Sequence, residues 1–258
     1  MITHYHGTPI WGGAGQVLDV AVRGGGAFVS YARPDQLNRC LEVAASVALD
    51  NGAFSAWKSG LKIDWNDFYR WLEPYYYNPK VEFFCIPDVV DGGEDDNDKL
   101  IDLVPFEFKY KAAPVWHLHE GLNRLKKLAG ENERICLGSS GEFAVIRTKR
   151  WHARMHEAMI SISEVNANCK IHGLRMLDGR VLGNYPLTTA DSTNLACNVP
   201  KTEMKYPDLT INVRSADYAK GLTDKELKVL ILKHRCAIMR NTIESVTPPT
   251  MSDYIGME

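Results

Sequence analysis

Eight short runs rich in β-branched, aromatic and aliphatic residues recur along this chain, and that recurrence constrains its fold more than any other feature. They read THYHGT (3–8), AFVSYA (27–32), SVALDNG (46–52), VEFFCIPD (81–88), APVWHLHEG (113–121), RICLGSS (134–140), KIHGLRML (170–177) and PLTTADST (186–193). Between several of them lie segments with helical patterning: PDQLNRCLEVAA, DWNDFYRWLEPYYY, GLNRLKKLAG and KRWHARMHEAMISISEVNA. Strand, helix, strand, repeated, implies a parallel sheet, because parallel neighbours need a crossover long enough for a helix. Eight such units predict an α/β fold of the (β/α)8 TIM-barrel type over residues 1–200, with a doubly wound open sheet as the structural rival. The acidic DGGEDDND (91–98) reads as an exposed loop after the fourth strand. Residues 201–258 read as a C-terminal helical extension packed on the barrel. Its helix is expected over 223–246, where Thr223 and Glu226 have capping-box spacing, and TPPTMSDYIGME reads as a loose tail.

Composition narrows the class. With 258 residues, 45% hydrophobic and 24% charged, the chain can bury a substantial core. No apolar run approaches the roughly 20 residues of a membrane helix, and MITHYHGTPIW has no basic segment leading into an apolar one, so a cytoplasmic protein without a membrane partner is expected. A formal net charge of −2 gives no global attraction to nucleic acid; such binding would need a local basic patch, for which RTKRWHAR (147–154) is the best candidate. The six cysteines are scattered without a C-x2-C pair, so reduced, mostly buried thiols and no structural zinc are expected.

In a barrel, substrates meet the C-terminal ends of the strands. Those ends carry His4 and His6, Tyr31, Asp50, Asp88, His117, His119 and Glu120, Ser139 and Ser140, His172 and Arg175, and Asp191. Each has an ordinary reading: an aspartate after a strand is often a helix cap, a strand histidine a packing residue, a Ser-Ser-Gly a turn. Together they say more. Three carboxylates, Asp50, Asp88 and Asp191, would converge on one mouth, an unfavourable arrangement that usually marks a site. Two carboxylates in different environments suit displacement at a sugar anomeric carbon, one attacking C1′ while the other moves the leaving group's proton.

In this order the motifs resemble the tRNA-guanine transglycosylase superfamily, and within it the shorter, phage-type branch that places 7-deazaguanines in DNA (DpdA-like proteins). The likeness spans roughly residues 1–200. LDNGAF resembles the family's D-S-G-G-F/Y segment, and IPDVV sits where the family has its second aspartate. HLHEG stands at a Val-Gln-Gly stretch, LGSSGEF at a Gly-Gly loop followed by Gly-Glu, and TTADSTN at the nucleophilic aspartate.

The resemblance implies a DNA-guanine transglycosylase that exchanges guanine in DNA for a preQ0-like 7-deazaguanine through a covalent aspartyl-glycosyl intermediate, without a cofactor. Asp191 would be the nucleophile and Asp50 the general acid/base at the base nitrogen. Gly52 would let a flat heterocycle approach, and Phe54 would stack on it. Asp88 would read the N1–H and exocyclic amine of guanine, with Gly138 and Ser139 offering donors to O6. His119 or Glu120 stands at the family's glutamine position, where this sequence departs from the pattern. The partners would be DNA with its target guanine extruded, free guanine and the free 7-deazaguanine. Lys149, Arg150 and Arg154 would contact flanking phosphates, their ordinary reading being a solvated helix face.

Members acting on tRNA carry a C-x-C-x2-C…H zinc site after the nucleophile. Here that region holds only Cys197, His234 and Cys236, which together with the shorter chain favours the DNA branch. Three alternatives stand: zinc-free exchange on tRNA, a non-catalytic nucleic-acid-binding barrel, and a metal-dependent amidohydrolase-type barrel using His4, His6, His119, His172 and Asp191.

Overall fold

The structure is a computed structural model that describes residues 3–10, 15–201 and 207–256. Nine parallel strands form one sheet: β1 (His4–Thr8), β2 (Gly26–Ser30), β3 (Ser46–Asp50), β4 (Val81–Cys85), β5 (Ala112–Ala113), β6 (Val115–His117), β7 (Arg134–Gly138), β8 (Lys170–Leu174) and β9 (Thr189–Ser192). Their order is β5-β4-β3-β2-β1-β9-β8-β7-β6, so the two outermost strands are consecutive in the chain.

Only Pro114 separates those two. β5 pairs with β4 on one side and β6 with β7 on the other. Pro114 has no N–H to give a ladder, yet its carbonyl accepts from the Cys136 N–H at 2.8 Å, and the Ala113 carbonyl accepts from the Ile86 N–H at 2.9 Å. One segment, interrupted by a proline, thus carries both seams of a nearly closed barrel. The fifth run of the sequence is that segment, and the other seven runs supply one strand each. The open-sheet rival is excluded.

Buried side chains divide into the barrel interior, with Tyr5, Phe28, Phe83, Cys85 and Cys136, and two apolar layers between the strands and the outer helices. The expected helices form at Leu37–Val43, Trp65–Tyr76, Leu122–Glu131 and Lys149–Asn166. The helix Asp224–Glu244 begins with the expected capping box, the Thr223 N–H donating to Glu226 Oε2 at 2.9 Å. Its Leu232, Cys236 and Met239 join Val17, Leu18 and Ala21 of the first outer helix, Gly15–Val22, in one layer, and Ile243 joins the other.

Two segments expected to be loops are helical. Within DGGEDDND a helix starts, Glu94–Asp102, whose first turn holds Glu94, Asp95 and Asp96, where negative charge meets the positive end of the helix dipole. In the tail, Met251–Gly256 is helical because Thr250 and Asp253 cap it reciprocally: the Thr250 N–H donates to Asp253 Oδ2 at 3.0 Å, and the Asp253 N–H to Thr250 Oγ1 at 3.1 Å. All six thiols are free, Cys197 exposed and the rest buried. Among the described residues no helix is long and apolar enough to cross a membrane.

Candidate active site

A cavity of about 280 Å³ opens at the C-terminal ends of the strands. Asp50, Asp88, Asp191, Phe54, Gly138 and Ser139 line it together with His117, Ser140 and Arg175, so nine of the residues singled out in the sequence meet in one place.

Asp50 ends β3. The chain then turns through Gly52 at φ 81°, and the Gly52 N–H donates to Asp50 Oδ2 at 3.1 Å. A Cβ at Gly52 would lie 2.9 Å from the Ala32 backbone nitrogen, so both conformation and space require glycine. Burial pushes the Asp50 carboxyl up to about 6, with Asp191 and Asp88 adding repulsion against the Ser30 hydroxyl and the Gly52 N–H, which favour the ionised form.

Asp88 lies just beyond β4 and is held on both oxygens. Asn51 Nδ2 donates to its Oδ1 at 2.7 Å and to the Ile86 carbonyl at 2.7 Å, while Asn51 Oδ1 accepts from the Ala53 N–H at 2.7 Å. His117 Nε2 sits 2.8 Å from Asp88 Oδ2. The His117 ring rests against Gly138, where a Cβ would be 2.7 Å from Nδ1. Ser140 Oγ lies 3.3 Å from His117 Nδ1 and 2.9 Å from His119 Nδ1.

Asp191, near the end of β9, accepts the Arg175 backbone N–H on Oδ1 at 2.7 Å, and His172 Nε2 stands 3.5 Å from the same oxygen. Arg175 also lines the cavity. Its side chain donates to the Ser139 carbonyl at 2.8 Å, and its guanidinium lies 3.9 Å from the centre of the Phe54 ring, covering part of that ring's surface. Burial lowers the Arg175 pKa against the pull of Asp191 and Asp50. Ser139 Oγ accepts from Trp151 Nε1 at 2.9 Å, which ties the loop after β7 to the helix Lys149–Asn166.

The remaining candidates stand outside the cavity. His119 stacks on His117 with ring centres 5.6 Å apart and reaches the Gly92 carbonyl from the outer side. Glu120 is buried as a brace, accepting from Asn97 Nδ2 at 2.7 Å, the His117 N–H at 2.8 Å and Arg124 Nη1 at 2.6 Å. Lys149 begins its helix, and Arg150 pairs with Glu142. Arg154 donates to the Leu118 and Glu120 carbonyls and pairs with Glu157 at 2.8 Å, so it fastens the loop after β6. The cations in the cavity wall are Arg33 and Arg175.

Asn51 and His117 carry much of the site's hydrogen bonding, and His172 stands beside Asp191 without a formed bond to it. The two histidines are visible in the sequence as strand-end residues; Asn51 is visible only as half of a turn-forming Asn-Gly. The histidines of the amidohydrolase pattern do not converge. His4 Nε2 bonds to the Val246 carbonyl at 2.9 Å and His6 Nε2 to Glu244 at 3.1 Å, and among the described residues no three His, Cys, Asp or Glu side chains form a metal-binding group.

No protein-family model matches the chain, and comparison with curated proteins gives no match.

Proposed function

We propose that this protein is a base-exchanging glycosyltransferase that replaces guanine in DNA with a 7-deazaguanine of the preQ0 type. The observation that carries the reading is the convergence of three carboxylates in unlike environments around one cavity. Asp50 is raised to about 6, where a carboxyl can give and take a proton near neutrality. Asp88 is braced from two sides, and Asp191 Oδ2 accepts no hydrogen bond from the described residues while Oδ1 is held.

The chemistry follows. An Asp191 oxygen attacks C1′ as the bond from C1′ to the base nitrogen breaks, the bonding pair leaves on the guanine, and Asp50 delivers a proton to that nitrogen. The incoming 7-deazaguanine then gives its corresponding proton to Asp50 and attacks C1′, and the bond to Asp191 breaks. The atoms and the proton balance, with no redox change. Asp88 can take part in reading guanine because each of its oxygens keeps a lone pair beyond the bond it already accepts. The cavity, small among ligand sites of roughly 300–1,000 Å³, suits one flat heterocycle, so a base in duplex DNA would be extruded to reach it. Arg33 and Arg175 stand where a flanking phosphate could be met. The cytoplasmic location expected from the sequence is part of this reading.

The test incubates the protein with radiolabelled guanine and, separately, duplex DNA, single-stranded DNA and tRNA. Label entering DNA supports the reading. Label entering tRNA alone transfers the same site to the tRNA reading, and label entering none of them overturns base exchange.

A further inference from the structure

Inside the barrel a polar chain runs to Asp191 from the opposite end of the strands. Glu82 is paired with Arg134, Arg134 Nη1 donates to Thr189 Oγ1 at 3.1 Å, and Thr189 Oγ1 lies 2.8 Å from His172 Nδ1. Thr189 and His172 are fully buried. The His172 ring is stacked on Phe28 with centres 5.1 Å apart and meets the edge of Phe83 at 5.0 Å. Its Nε2 is buried without a hydrogen-bond partner and sits 3.5 Å from Asp191 Oδ1.

We propose that His172 is a positioning residue for Asp191, held as the Nε2–H tautomer by Thr189 so that its ring N–H aims at Oδ1 and leaves Oδ2 to react. The proposal rests on Asp191 being the nucleophile.

Counting protons gives the tautomer. An arginine only donates, so the Thr189 oxygen accepts from Arg134; His172 Nδ1 is its other hydrogen-bond neighbour among the described residues, so the buried hydroxyl proton has an acceptor only if Nδ1 accepts it. An Nδ1 that accepts places the ring proton on Nε2, the atom facing Asp191. Burial lowers the His172 pKa, consistent with a neutral ring. At 3.5 Å the contact is longer than a formed hydrogen bond, as catalytic contacts often are before substrate binds. When Oδ2 bonds to C1′, Oδ1 becomes the ester carbonyl, and the Arg175 and His172 N–H groups remain as its donors. The carboxylate plane is thereby fixed through both halves of the reaction.

Two measurements test this. The first, independent of any activity, is ¹⁵N NMR of the histidine-labelled full chain, with His172 assigned by its loss in His172→Gln; Nε2 protonated is expected, and Nδ1 protonated overturns the proposal. The second is the rate of adduct formation with guanine-containing DNA. His172→Leu should lower it about 100-fold with little change in KM. His172→Gln, whose amide nitrogen can occupy the place of Nε2, should recover most of the rate. Equal rates for Leu and Gln, or a folded His172→Leu as fast as wild type, overturn the role. Should His172→Leu fail to fold, Thr189→Val supplies the test, with an expected loss of about 10-fold and a shifted tautomer; an unchanged tautomer there overturns the assignment. If wild type exchanges no base, the function reading fails while the NMR result still decides the tautomer.

Discussion

Asn51 Nδ2 lies 2.7 Å from Asp88 Oδ1, so the residue after one cavity carboxylate clamps the next. Two adjacent strands are coupled through that bond, because the same amide also holds the Ile86 carbonyl. Replacing Asn51 with Leu leaves these buried acceptors without their donor, at about 1–3 kcal/mol. A lower melting temperature and a raised KM for guanine are expected for Asn51→Leu, measured by thermal unfolding and exchange kinetics. An unchanged KM in a folded variant would remove Asn51 from the site.

Asp50 couples function to stability. Its carboxyl is raised from the ordinary 3.8 to about 6, so between those pH values the unfolded chain loses the proton first and stability falls as pH rises. Above about pH 6 the full penalty is present, on the order of 2–3 kcal/mol. Asp50→Asn should therefore melt higher than wild type at pH 7, lose exchange, and match wild-type stability near pH 4. Denaturant titrations at the two pH values check this, and a less stable Asp50→Asn at pH 7 would contradict it.

The same carboxyl gives a pH signature to the first half-reaction. Guanine departure needs Asp50 protonated, so single-turnover adduct formation should decline as pH rises through about 6. Rapid-quench sampling from pH 5 to 8 measures it. A rate that rises across that window would contradict a general acid of this kind.

Eight strands were legible because parallel strands buried on both faces read as near-continuous apolar runs. Asp50, Asp88 and Asp191 were legible because they stand at strand ends, where barrel position alone implies convergence. Bonds made across strands were not. Nothing in the local sequence tells that His117 reaches Asp88 or that His172 faces Asp191, since those contacts depend on register and curvature. Pro114 dividing the fifth strand was hidden for the same reason. The helix Ala53–Ser59, starting directly after the left-handed Gly52, was masked by the turn signal of Asn-Gly.

The basic residues after β7 divide by what they already hold. Arg154 is committed to the Leu118 and Glu120 carbonyls, whereas Lys149 and Arg150 lie on the surface. Replacing Lys149, Arg150 and Arg154 with Ala should weaken DNA binding and flatten its salt dependence, with exchange persisting at saturating substrate. Arg154→Ala alone should also lower the melting temperature. Titrations at several salt concentrations check the first point, and parallel salt slopes for wild type and triple variant would rule this patch out as a DNA track.

The most direct test of the account is covalent trapping at Asp191. Wild-type protein turning over guanine-containing DNA should yield a protein–DNA adduct that survives denaturation, and Asp191→Ala and Asp191→Asn should yield none while keeping the wild-type circular dichroism spectrum. An adduct of equal yield in either variant would contradict the assignment of Asp191 as the nucleophile.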